Sequence, residues 1–201
     1  MTKPVFAFVL VILVCASALA QNSTDHKKYE FFAGYSNGQS DDGHTFNGVN
    51  VAGVYYIRRY LGIKADFSGT YRNSHESYQI STGGIGQTFT HDNRSSIYNV
   101  LGGVQIKDSA SKARFKPFAH VLAGLGHRRF EAKNVTCTPG PVPCFGAHSI
   151  QTGFAAAFGG GLDIRINDKI DFRAFQIDYN PMVFNGRTDH NARFGIGFVF
   201  K

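Results

Sequence analysis

Residues 61–72 read LGIKADFSGTYR. Leu61, Ile63, Ala65, Phe67, Gly69 and Tyr71 take the odd positions, and Lys64, Asp66, Ser68, Thr70 and Arg72 the even ones after Gly62. A strand turns successive side chains to opposite faces. One face of this segment is therefore apolar, and the other carries hydroxyls and charges of both signs. No helix gives that pattern. A dozen alternating residues is long for a strand of a soluble protein, but it is what a tilted strand needs to cross a bilayer core.

The same unit recurs along the chain. Residues 29–37 place Tyr29, Phe31, Ala33 and Tyr35 together, and residues 46–58 place Val49, Val51, Gly53, Tyr55 and Ile57 together. Further strands are predicted at 96–106, 117–128, 150–166, 169–179 and 192–200. In the seventh, the apolar phase moves from Ile170, Phe172 and Ala174 to Phe175, Ile177 and Tyr179, which predicts a bulge near Ala174 and Phe175.

Between these strands lie stretches rich in Gly, Asn, Asp and Ser, the residues of turns and loops. They predict long loops at 37–45, 73–94, 129–149 and 180–191, and short turns at 59–60, 107–116 and 167–168. Eight strands with alternating long and short connections, and both termini at the short-turn end, fit an all-β fold: an eight-stranded antiparallel up-and-down transmembrane β-barrel. Closure would remove the unpaired strand edges that lipid cannot satisfy.

The start of the chain fits export. Lys3, an apolar run from Val5 to Val14 and the small-residue end Ala18, Leu19, Ala20 form a secretory signal pattern, too short for a spanning helix. Cleavage is expected after Ala20. Cys15 follows Val14 where a lipidation signal needs a small residue, so no lipid anchor is expected there. The expected organisation is a signal peptide at 1–20, a polar periplasmic lead-in at 21–28 and a barrel domain at 29–201. No later run is apolar enough for a membrane helix, and the slightly negative mean hydropathy suits alternating strands.

The formal charge is +7. Its basic residues are spread through strands and turns without a cluster, so nucleic acid is not an expected partner. The surface reads as modestly cationic, able to contact phosphorylated lipid headgroups. Cys137 and Cys144, in CTPGPVPC, are expected to pair in an oxidising compartment, removing about 2 to 3 kcal/mol of unfolded-state entropy. Two thiols without a further close pair of Cys or His make a poor zinc site. Neither a metal nor a cofactor is expected.

With these strands in place, the chain resembles the outer-membrane β-barrel domains, similar to the OmpA-like and OmpX-like small barrels grouped with porin-family proteins. The segment PFAHVLAGLGHRR at 117–129 is similar to a family strand, and ARFGIGFVFK at 192–201 resembles the terminal signal read by the barrel-assembly machinery. Lys201 after Phe200 departs from the usual aromatic end. The resemblance implies the bacterial outer membrane as location. It also implies membrane lipid, lipopolysaccharide and the assembly machinery as partners.

An eight-stranded barrel is barely wide enough for its own side chains. The expected inward charges are Lys64, Asp66, Arg72, Asp163, Arg165, Asp171, Arg173, Asp178 and Arg193, acids and bases in similar number. Desolvated together, they should pair and block free passage. The expected role is structural or surface-interacting, with an unidentified extracellular ligand met by loops 73–94 and 129–149 and at most a small pore.

Two alternatives stand beside it. A soluble lipocalin-like barrel would turn its apolar faces inward around a small ligand, although the absence of Trp removes that family's usual signature. A lipid A-modifying barrel enzyme would need Ser and His within reach. Ser149 beside His148, and Asp189 beside His190, are the candidates, but adjacent strand residues face opposite ways. No catalytic residue is expected, and His44, His75, His91, His148 and His190 read as solvated loop residues. The triplets at Asn22, Asn93 and Asn134 and the glycines Gly83, Gly84 and Gly86 carry no chemistry in a bacterial barrel.

Overall fold

The computed structural model describes residues 28–82, 85–138 and 146–201. Its ten strands are β1 Tyr29–Gln39, β2 Thr45–Arg58, β3 Leu61–Thr82, β4 Ile85–Lys107, β5 Phe115–Thr138, β6 His148–Arg165, β7 Ile170–Tyr179, β8 Met182–Phe184, β9 Arg187–Asp189 and β10 Ala192–Phe200. Eight of them form the barrel wall. Each neighbour pair is antiparallel in the order β5-β4-β3-β2-β1-β10-β7-β6, and β5 pairs β6 to close the ring. β8 and β9 form a small hairpin whose first strand attaches to β6, with Ala155 opposite Met182.

The alternation read from residues 61–72 sets the two faces of the wall. Phe67, Tyr71, Val100, Val121, Leu125, Phe158 and Ile196 are exposed on the outside, whereas Lys64, Asp66, Ser68, Asn99, Asp163 and Arg193 are buried inside. A soluble barrel would reverse this. Large apolar side chains stay on the outside because lipid, not water, surrounds the wall. The lipocalin-like alternative requires the opposite facing and does not hold.

The expected bulge is present. Leu162 pairs Phe175 while Asp163 pairs Arg173, so Ala174 is the extra residue, and the β10 register shifts at the same level between Gly195 and Gly197.

Three of the expected loops are corrected. Residues 73–82 and 85–94 are paired strand rather than loop: β3 and β4 pair without a break from Leu61↔Ile106 to Thr82↔Ile85. Residues 129–138 are also strand, because β5 runs on to Thr138 against β4. The alternation stops near Arg72 because above the membrane both faces meet water, so the ladder continues with no apolar face to mark it. The expected loop at 180–191 likewise contains the β8–β9 hairpin.

Candidate functional site

From the short-turn end to mid-height, the lumen is filled by one connected polar network. At the short-turn end, Lys107 Nζ donates to both carboxylate oxygens of Glu30 (2.8 and 2.9 Å) and to Asp163 Oδ2 (2.7 Å). Lys116 Nζ and Lys201 Nζ share Asp171, at 3.1 and 2.6 Å. The Tyr56 hydroxyl donates to Glu30 and accepts from Gln105, both at 2.9 Å.

One level up, Arg173 grips Asp163 through Nε (2.8 Å) and Nη2 (3.2 Å) and donates from Nη1 to Gln176 (2.7 Å). Its guanidinium lies 4.0 Å from the ring centroid of Phe118 and 4.3 Å from that of Phe32. Gln176 carries the chain on to Asp178 at 2.7 Å.

At mid-height, Arg193 joins two carboxylates: Nη1 donates to Asp66 Oδ1, and Nη2 to Asp178 Oδ2, each at 2.7 Å. Lys64 Nζ lies 3.3 Å from His120 Nδ1 and 3.7 Å from Asp66. His120 Nε2 is 3.0 Å from Asp178 Oδ1, an ion-pair distance at an angle outside hydrogen-bond geometry.

Above this level the filling turns apolar. Phe46, Ile97, Leu101 and Leu122 meet Met182 and Phe184, which the β8–β9 hairpin presents. The void left at this end is about 20 Å³, room for about one water. Arg128 fastens the hairpin, with Nη2 2.8 Å from Asp189 and its guanidinium 5.1 Å from the Phe184 ring centroid.

Of the expected inward charges, the structure brings together Lys64, Asp66, Asp163, Asp171, Arg173, Asp178 and Arg193, all buried. Arg72 is half-buried at the outer end of the wall. Arg165 sits at the short-turn rim, where Nη1 donates to the Lys112 carbonyl (2.8 Å) and Nη2 pairs with Asp168. Sequence reasoning missed Glu30, Lys107, Lys116 and His120. Glu30 and His120 stand in phase on the polar faces of their strands, whereas Lys107 and Lys116 had the look of turn residues. Of the candidate cysteine pair, Cys144 and the side chain of Cys137 lie outside the described residues.

The second feature is the sheet that β3, β4 and β5 raise beyond the barrel. These strands have 22, 23 and 24 residues, against 11 for β1 and 9 for β10. At about 3.3 Å per residue they extend about 75 Å, three times the apolar band of an outer-membrane barrel. On the outward face of this sheet, Asp92 accepts from His75 Nδ1 (2.6 Å) and Asn134 Nδ2 (2.7 Å). Asn134 has φ 52, in the bulge where β4 and β5 shift register between Thr90 and Asp92. The His75 hydrogen bond holds the Asp92 carboxyl below the usual carboxylate range. An open depression of about 370 Å³ is lined here by Asn73, His75, Asp92, Arg94, Lys133 and Asn134.

A closed ring of eight antiparallel strands, apolar outside and filled by paired charges inside, defines a small transmembrane β-barrel. The chain belongs to the outer membrane protein beta-barrel domain family, whose model matches residues 6–201. It is a protein of the bacterial outer membrane. No curated relative matches the sequence.

Among solved structures, it is similar to Ail, the attachment invasion locus protein of Yersinia pestis, with 16% identity, a TM-score of 0.51, and 86% of this chain and 96% of that one covered. The structure of Ail in complex with the heparin analogue sucrose octasulfate matches at 18% identity and a TM-score of 0.54, covering 86% and 97%. Neisserial surface protein A matches at 13% identity and 0.53, covering 86% and 95%. At these identities the likeness is one of fold.

Proposed function

We propose that this protein is a surface-interaction barrel: an anchored, plugged wall that holds the β3–β4–β5 sheet above the outer membrane to meet an extracellular ligand. The observation that carries this reading is the height of that sheet, since about half of each long strand is more than a membrane span requires. The filled lumen supports a wall without a diffusion pore. Arg94 and Lys133 beside the outward depression suit a sulfated saccharide, and the similar Ail structure is in complex with the heparin analogue sucrose octasulfate.

The remaining assignments belong to the same reading. Residues 1–20 are a cleaved signal peptide, 21–28 a periplasmic lead-in and 29–201 the barrel. Cys137 and Cys144 form a disulfide. The strand ending at Phe200 is handed to the barrel-assembly machinery, and lipopolysaccharide surrounds the wall on the outer side. The lumen network plugs the wall and takes no part in catalysis. Asp189 is held by Arg128, and His190 is engaged by the Tyr179 hydroxyl, so neither offers a free nucleophile–base pair.

The test is planar-bilayer conductance of the refolded barrel, with binding to immobilised sucrose octasulfate on the same sample. Negligible steady conductance and saturable binding that weakens in the Arg94→Gln/Lys133→Gln double variant are expected. Steady porin-scale conductance without saccharide binding would overturn the reading.

A further inference from the structure

The positive excess of the protein is not shared between its two ends. On the outer side, Arg72, Arg94, Arg128, Arg129, Lys133 and Arg187 stand against Asp41, Asp42, Glu76, Asp92, Glu131 and Asp189, so that end is balanced. In the lumen the charges are nearly matched as well. The short-turn end differs: Arg59 is taken up by Asp108 (2.7 Å) and Arg165 by Asp168. Lys28, Arg58, Lys112, Arg114 and Lys169 remain there with no carboxylate partner among the described residues.

These cations sit on a rigid collar. Ser109 N donates to the Arg59 carbonyl (2.9 Å), Arg165 N to the Arg114 carbonyl (2.8 Å) and Lys201 N to the Lys169 carbonyl (2.9 Å), lacing the β2–β3, β4–β5 and β6–β7 turns and the end of β10 together. The collar is also continuous with the lipid-facing wall. Ile57, Tyr60, Ile106, Phe115 and Ile166 are all more than half exposed beside it. Two of the rings carry a guanidinium: Arg59 lies 5.0 Å from the Tyr60 centroid and Arg114 5.8 Å from the Phe115 centroid.

Short turns lie on the periplasmic side of such barrels, so this collar is level with the headgroups of the inner leaflet. A cation held against a lipid-facing ring suits an amphiphile whose phosphate meets the cation while its chains lie along the apolar wall. A soluble polyanion or a cell-wall polymer would have no use for the adjoining apolar surface.

We propose that the periplasmic collar is a binding site for the headgroups of anionic phospholipids, built from Arg58, Lys112 and Arg114 beside Tyr60 and Phe115. The site selects phosphatidylglycerol-type lipid from the inner leaflet, while the balanced outer end has no such preference.

The chain has no Trp, so a Tyr60→Trp variant carries one reporter at the collar and a Tyr71→Trp variant one at the outer rim. Each is refolded into vesicles of phosphatidylcholine and phosphatidylglycerol in which one lipid at a time is brominated on its acyl chains. At the collar, brominated phosphatidylglycerol is expected to quench with a relative association constant at least about fivefold that of phosphatidylcholine, the weight of one cation near a membrane surface. At the rim the ratio stays near one. Adding Arg58→Gln/Lys112→Gln/Arg114→Gln should bring the collar ratio to about one, with the heat-modifiable band retained.

Equal quenching by the two lipids at the collar, or the same preference at both ends, would overturn the proposal. If the triple variant does not fold, the unsubstituted collar in 1 M salt replaces it, since the Debye length there is about 3 Å. A preference that survives that salt also overturns the site.

Discussion

Arg193 and Asp178 face each other across the β10–β7 pair, registered Cα to Cα and joined from Nε at 2.9 Å and Nη2 at 2.7 Å to the same carboxylate oxygen. The third guanidinium nitrogen reaches Asp66, so one cation compensates two carboxylates away from water. Such a group contributes little against a well-packed apolar filling, but removing it alone strands its partners.

Arg193→Met is therefore expected to cost about 3 to 5 kcal/mol. The triple variant Arg193→Met/Asp66→Asn/Asp178→Asn should recover most of that loss. Urea-induced unfolding in lipid vesicles, followed by heat-modifiable mobility, measures both. A triple variant no more stable than the single one would show that the loss comes from packing and not from stranded charge.

Gly159 leaves the room that Asp178 occupies. A Cβ there would lie 2.2 Å from Asp178 Oδ1 and 2.2 Å from the Ile177 carbonyl oxygen, and a paired backbone cannot give way that far. Gly159→Ala is expected to lose the heat-modifiable band. Gly53→Ala, whose Cβ meets nothing within 4 Å, should keep it.

Phe67 is exposed on the lipid face in the middle of the membrane-crossing part of β3. Phe67→Arg is expected to cost about 2 to 4 kcal/mol if folding is measured in bilayers. The same substitution at Ser77, exposed on the raised sheet, should be near neutral, which separates membrane burial from a general intolerance of charge.

The clamp of His75 and Asn134 on Asp92 gives the raised sheet a pH dependence. The Asp92 carboxyl is held below its ordinary value by the His75 hydrogen bond. Its contribution is thus present above the ordinary carboxylate range, near pH 4, and is lost as pH falls through the lowered folded value. Amide exchange at residues 73–77 and 90–94 should quicken below about pH 4 in the wild type. In Asp92→Asn it should change little.

Alkylation followed by mass spectrometry should find no free thiol at Cys137 or Cys144 in exported protein. Free thiols at both positions would remove the proposed disulfide.

Much of the barrel is legible in the sequence where lipid and lumen impose opposite demands on alternate residues. β10 is the clearest case: the expected 192–200 is the strand observed, with Phe194, Ile196, Phe198 and Phe200 outside and Arg193 and Val199 inside. The raised part of β3 and β4 is not legible because water on both sides leaves no periodicity to read. Part of the lumen is illegible for a related reason. Lys107 and Lys116 look like turn residues only while charge is assumed to mean solvent, whereas in this lumen Glu30, Asp163 and Asp171 supply what water would have supplied. Met182 and Phe184 could not be placed from their short, irregular segment, since their burial depends on a hairpin folding back onto β6.

The unequal strands also give the molecule a front and a back. From Tyr71, level with the rim of the wall, β3 climbs eleven further residues to Thr82, about 35 Å, while β1 and β10 on the other side stop near the membrane. In the proposed surface-interaction role, a large partner comes down to the bilayer from the low side, since on the high side the sheet stands in its way like a parapet. Its orientation on the cell surface is decided before any side chain is touched.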